Sequence, residues 1–157
     1  MPRKKVYIET TIVSYLTALP SRDLVLAAHQ KLTLEWWQRR ELFDLFASEA
    51  VLQEAAAGHP EPAGRRLSAL EGCTIVAVDA QVATLARALL AAEALPAKAL
   101  VDALHVAAAA VHGIDYLLTW NCKHIANAAA RGTIEKTCRG AGFEPPAICT
   151  PEELMED

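Results

Sequence analysis

Four residues of this 157-residue chain have the types and surroundings that oxygen-ligand chemistry needs: Glu9, Glu54, Asp102 and Asn121. Asp102 stands in a helical stretch whose neighbours at 98, 99, 101, 103, 104 and 106 are mostly apolar. A charge in such a place is costly to bury unless it is paired or bound to a cation. Glu9 ends the apolar run Val6-Tyr-Ile8, Glu54 lies at the end of Ser48-Glu-Ala-Val-Leu-Gln-Glu54, and Asn121 follows Tyr116-Leu-Leu-Thr119-Trp. Oxygen ligands drawn from separate elements suit a hard cation, Mg²⁺ or Mn²⁺. Such an ion keeps several waters, deprotonates one of them and neutralises charge on a phosphodiester. The candidate chemistry is therefore metal-assisted hydrolysis of a phosphate ester.

Each residue also has a plainer interpretation. Glu54 fits a solvated helix face, Glu9 a helix-start acid and Asn121 a turn residue. Asp102 resists the plain interpretation because of its apolar neighbours. His105, one turn along, fits a satisfied core histidine or a group that orients Asp102. His124 fits a helix start or a substrate contact. The Arg39-Arg40 and Arg65-Arg66 pairs fit solvated surface or contacts to nucleic-acid phosphate.

These residues must be positioned by alternating strands and helices. Short apolar runs at 6–8, 42–47, 74–78, 116–119 and 147–149 have strand character, the third being rich in β-branched residues. Helical spacing covers 11–19, 22–40, 49–57, 65–70, a segment from 80 to near 95, 96–112 and most of 126–142. Ser48 and Asp79 are placed to cap helices, Pro96 suits a first helical turn, and Gly113 suits a helix end. The segment 58–64 (Gly-His-Pro-Glu-Pro-Ala-Gly) has the composition of a loop. Thr150-Pro-Glu-Glu has the pattern of a capped helix start. Strands alternating with helices imply an α/β fold, a parallel sheet covered on both faces. In such a fold sites gather at the carboxyl ends of the strands.

Bulk properties narrow the class. The length suits one domain spanning 1–157, and the 53% hydrophobic content suits a packed core. The net charge of −4 argues against a broad basic surface for nucleic acid, though not against a local site where an ion offsets the acids. No apolar stretch is long enough for a membrane span, and 6–8 is too short for a signal-peptide core. The four cysteines are scattered, as expected of reduced thiols in the cytoplasm. There is no Gly-rich phosphate loop, no His-Glu-x-x-His pair and no Gly-x-Ser-x-Gly elbow.

Four blocks together resemble the PIN domain, and within it the VapC-like toxins of toxin–antitoxin pairs: Val-Tyr-Ile-Glu9-Thr10-Thr-Ile-Val-Ser-Tyr-Leu, Ser48-Glu-Ala-Val-Leu-Gln-Glu54, Asp102-Ala-Leu-His-Val-Ala, and Leu-Leu-Thr119-Trp-Asn121-Cys-Lys-His124-Ile. The resemblance spans nearly the whole chain. It implies a three-layer α/β/α sandwich and metal-dependent cleavage of RNA with Mg²⁺ or Mn²⁺. Glu54 and Asp102 fall on family acids. Glu9 stands where the family usually has Asp, and His124 where it often has a fourth acid, which suggests a branch of its own. On this basis Glu9 and Asp102 are the expected metal ligands, Glu54 holds a metal-bound water or acts as base, and Asn121 completes the set. Thr10 and Thr119 are expected to hydrogen-bond ligands or substrate. The expected partners are RNA, a small antitoxin and a second copy of the chain, since Trp36 and Trp37 point in different directions on a helix and one of them can face outward. The alternative is a PIN-fold binding module that has lost turnover. A phosphotransfer or receiver-like role fits less well, because the first strand ends in Glu9 rather than a nucleophilic Asp.

Overall fold

The computed structural model describes residues 2–155. Its centre is β1 (Lys4–Ile8), the one strand whose last three side chains, Val6, Tyr7 and Ile8, are all fully buried. Successive strand residues point to opposite faces, so burial of all three means that both faces of the sheet are covered. The β-branched and aromatic residues there favour the extended pleat.

Four further strands are β2 (Phe43–Ser48), β3 (Thr74–Val76), β4 (Tyr116–Leu118) and β5 (Ala147–Cys149). All pairings are parallel and the sheet order is β3-β2-β1-β4-β5. β1 pairs with β2 through Val6 opposite Leu45, and with β4 through Ile8 opposite Leu118. The chain therefore winds outward in one direction to β3 and in the other to β5, and the order reverses beside β1. The crevice at the carboxyl ends of the strands at such a reversal is the natural site position of an open α/β sheet. The three-layer α/β/α architecture expected from the sequence is the one found.

The helices are α1 (Thr10–Thr17), α2 (Leu24–Trp37), α3 (Glu49–Ala55), α4 (Pro60–Ala69), α5 (Ala80–Ala91), α6 (Leu100–Val111) and α7 (Ala128–Gly140). α1 packs against α2, α3 and α4, while α5 packs against α6 and α7. Side-chain caps begin most of them: Asp23 accepts from Leu26 N, Ser48 from Ala50 N, Asp79 from Val82 N and Asn127 from Ala129 N. Ala103 and Ala107–Ala110 of α6 are buried, and their small side chains let the helix lie close to its neighbours.

Three local expectations are corrected. The segment 58–64 is a loop only at its start, because α4 begins at Pro60 and includes Pro62 and Gly64. Pro60 at the first helical position lacks only an N–H that has no partner there, and Pro62 falls in the same turn. Pro96 does not open α6. It starts a tight turn in which Ala99 N–H donates to Pro96 O at 2.8 Å, and the helix follows from Leu100. α5 accordingly stops at Ala91, and Glu93 takes φ 59°, the left-handed conformation that ends a helix. At the C-terminal end, Thr150 and Glu153 make the reciprocal bonds of a capping box (Thr150 N to Glu153 Oε1, 3.0 Å), but 151–154 forms only a turn.

Trp36 is fully buried and Trp37 half-buried, with the Arg40 guanidinium 5.1 Å above its ring. Arg66 donates to Ala55 O (3.0 Å) and Ala57 O (2.6 Å), which satisfies carbonyls at the end of α3 rather than presenting the guanidinium freely. The four cysteines are free thiols, and none of the described helices is long and apolar enough to cross a membrane.

Candidate functional site

Glu9 leaves β1 at its carboxyl end and acts as the N-cap of α1. Its residue is only 3% exposed, so its carboxyl group needs donors. The hydroxyls of Thr119 and Thr11 each donate to Oε1 at 2.5 Å, and Thr11 N–H donates to Oε2 at 3.2 Å. Both hydroxyls are fixed in turn. Asn121 N–H donates to Thr119 Oγ1 (2.9 Å) and Trp120 N–H to Thr11 Oγ1 (2.8 Å). Glu9 is thereby tied to the turn after β4, which its neighbour-strand position puts within reach.

Glu54 arrives from the other side. It lies on α3, directly after β2, and its side chain is 38% exposed. Oε1 accepts from Thr10 Oγ1 at 2.6 Å and pairs with His105 Nε2 at 2.6 Å. Burial pushes the Glu54 carboxyl upward, but the hydrogen bonds from His105 and Thr10 outweigh it and hold the group below its ordinary value. Glu54 is thus kept ionised. Ligand atoms of Glu9, Glu54 and His105 all lie within 4.8 Å of one another.

His105 belongs to a buried chain of contacts. Its Nδ1 meets the Tyr7 hydroxyl at 2.8 Å, and that hydroxyl meets Ser48 Oγ at 2.7 Å. Ser48 Oγ also accepts from Ala50 N–H at 3.2 Å. Burial raises the Tyr7 phenol above its ordinary value, so it stays a hydroxyl.

Asp102 lies on the first turn of α6, half-buried, and its Oδ2 meets His124 Nδ1 at 2.8 Å. It is not one of the three residues grouped within 4.8 Å. Asn121 uses its side-chain oxygen to accept from His124 N–H at 3.0 Å, and its backbone carbonyl accepts from Ile125 and Ala126. The Asn121 carboxamide therefore shapes the turn that carries His124. Trp120 braces the same turn. Its ring stacks on His29 with centroids 4.0 Å apart, and its indole N–H donates to Thr33 Oγ1 at 2.7 Å. A groove of about 630 Å³ runs past His124 and Lys123 between Leu95-Pro96 and the start of α7.

Two acids at the crevice, one fully buried among hydroxyls and one held ionised, form an oxygen-rich donor set that fits a hard divalent cation. Each acid has one oxygen engaged by side-chain donors and the other less so, which leaves lone pairs for an ion.

Of the residues that brace the two acids, Tyr7 and Thr11 are given no role by the sequence, Ser48 only that of a helix cap, and His105 that of a core histidine or a group orienting Asp102, whereas its partner is Glu54 and Asp102 meets His124 instead. Signals existed for two of them. Tyr7 stands in an otherwise aliphatic buried strand, and a buried phenol requires a partner. His105 stands among buried alanines, and a buried imidazole requires the same.

Neither a family model nor a curated protein matches this chain. Among solved structures it is similar to a chain of the crystal structure of VapBC2 from Rickettsia felis bound to a DNA fragment from their promoter. The TM-score is 0.57 and the sequence identity 15%, over 93% of this chain and 98% of that one. At that identity the likeness is one of fold, and the fold is PIN-like.

Proposed function

We propose that this chain is a metal-dependent endoribonuclease of the PIN, VapC-like toxin type, acting through Glu9, Glu54 and Asp102. The observation that carries the reading is the convergence of Glu9 and Glu54 on the crevice beside β1, within 4.8 Å and each braced by hydroxyl donors. Glu9 and Asp102 are the metal ligands in this reading, with Glu54 holding a metal-bound water or accepting its proton. A bound Mg²⁺ or Mn²⁺ supplies the activated water and offsets phosphodiester charge. Thr119 and Thr11 hold Glu9 in place, and Thr10 holds Glu54. Asn121 sets the position of His124, and His124 holds Asp102 beside the crevice. Lys123, on the groove that His124 also lines, would meet a phosphate of the RNA in this reading. The similar fold of a chain in a toxin–antitoxin complex supports a small antitoxin as partner; a homodimer and a cytoplasmic location belong to the same reading.

A second reading, a PIN-fold binding module without turnover, is favoured by one contact. His124 stands where the family often has an acid, and it engages the Asp102 carboxylate directly. RNA cleavage with Mg²⁺ and with Mn²⁺ separates the two. Cleavage by the wild-type chain that Asp102→Asn abolishes supports the nuclease. RNA binding without cleavage under either ion supports the module.

A further inference from the structure

The grouping of Glu9, Glu54 and His105 invites the view that His105 is itself a metal ligand. The hydrogen-bond directions argue otherwise. Ala50 N–H donates to Ser48 Oγ, which leaves the Ser48 proton free to go to Tyr7. The Tyr7 proton then goes to His105 Nδ1, and the remaining imidazole proton sits on Nε2, aimed at Glu54 Oε1. In this direction every proton has an acceptor. Reversed, the Ser48 proton has no acceptor among the described residues, and a bare Nε2 lone pair would face a carboxylate oxygen at 2.6 Å. A nitrogen that carries a proton offers no lone pair to an ion.

We infer that His105 is a positioning residue rather than a ligand: the buried line Ser48–Tyr7–His105, drawn from β2, β1 and α6, fixes the Nε2–H tautomer and thereby holds Glu54 Oε1, leaving Oε2, which has no hydrogen-bond partner among the described residues, available to an ion or its water. The inference rests on the nuclease reading for the identity of the ion. It explains why a half-exposed glutamate on a seven-residue helix has a defined direction at all. Partners of this kind commonly change metal affinity by roughly 10–100-fold when removed.

The decisive measurement is a long-range ¹H–¹⁵N correlation spectrum of the full chain labelled at histidine, with and without Mg²⁺. The expected result is a neutral His105 with its proton on Nε2, unchanged when Mg²⁺ is added. A proton on Nδ1 in the Mg²⁺-loaded protein, or a doubly protonated ring, overturns the inference. Calorimetric Mg²⁺ titration adds a second test on folded variants. His105→Gln, whose carboxamide can likewise donate from its nitrogen and accept at its oxygen, should stay within a few-fold of wild type. His105→Leu and Tyr7→Phe should weaken binding by roughly 10–100-fold and 10-fold. Wild-type affinity in Tyr7→Phe and in His105→Leu overturns the inference. If His105→Leu does not fold, Tyr7→Phe and the tautomer decide. Failure of the wild-type chain to bind Mg²⁺ or Mn²⁺ overturns the nuclease reading instead, and the spectrum of the ion-free protein still decides the tautomer.

Discussion

The two sides of the candidate site are built differently. On one side Glu9 and Glu54 are held by Thr10, Thr11, Thr119 and His105, with backbone N–H groups behind the last hydroxyls. On the other side Asp102 has, among the described residues, one side-chain hydrogen-bond partner, His124, itself carried on a turn. The first half is pre-organised. Its donors come from two helices, α1 and α6, and from the turn after β4, and moving one acid means breaking several bonds at once. The second half is adjustable, because one side-chain rotation frees Asp102. In the proposed nuclease the first side would be a fixed platform for the ion and Asp102 the acid that completes the set.

The largest test of this contrast is Asp102→Asn. The substitution keeps the shape and the contact to His124 but removes the charge. Mg²⁺-dependent RNA cleavage should fall by about 100-fold or more, at or beyond the upper range for outer partners of a ligand. The melting temperature without metal should hold or rise, because one negative charge leaves an acidic cluster. Cleavage equal to wild type would place the chemistry elsewhere.

Thr119→Val probes the fixed half. It removes the short hydroxyl contact to Glu9 Oε1 and leaves Asn121 N–H without its acceptor. The stability loss should be about 1–3 kcal/mol by urea unfolding, the cost of orphaning buried polar groups. A change below about 0.5 kcal/mol would mean that Glu9 is not held as described.

Acid stability sharpens the comparison further. Glu54 titrates below its ordinary value in the folded chain, so it binds a proton more readily when unfolded. Its contribution to stability is present above the ordinary glutamate value of about 4.3. It is lost as pH falls through the lower folded value. Glu54→Gln should therefore narrow its stability gap to wild type as the pH drops from neutrality to below about 4, as read by urea midpoints across that range. A constant gap would show that Glu54 gains nothing from His105 and Thr10.

The smallest effect is expected at His124→Ala. The Asp102–His124 pair is partly exposed, so the stability change should stay within about 1 kcal/mol. Freed of the imidazole, Asp102 should raise Mg²⁺ affinity measured by calorimetry. A loss of affinity would recast His124 as the group that delivers Asp102 to the ion.

Much of this architecture was legible before folding. Alternating short apolar runs and helical spacings imply a covered parallel sheet, because fully buried strands lose their polar alternation. Ser48 and Asp79 showed as caps because their oxygens satisfy backbone N–H groups nearby in sequence. Glu9 and Asp102 stood out because a carboxylate beside apolar residues is a misfit. Less legible were the ends of α4 and α6. Pro60, Pro62 and Pro96 are all tolerated near a helix start, and only packing decided that the first two lie inside a helix and the third before one.

What the sequence determined alone is whatever depends on near neighbours: strand and helix periodicity, caps and the chemical types gathered near strand ends. What the tertiary structure decided is every contact that crosses the sheet. Thr119 reaches Glu9 because β4 lies beside β1, and His105 reaches Glu54 because α6 lies against α3. Tyr7, Ser48 and His105 are 41 and 98 positions apart as measured from Tyr7. A hydrogen bond needs its two heavy atoms within about 3 Å, and no periodicity reports a distance of that kind. The same holds for Asn121, whose carboxamide suits both a ligand and a turn and whose oxygen the fold sets against His124 N–H.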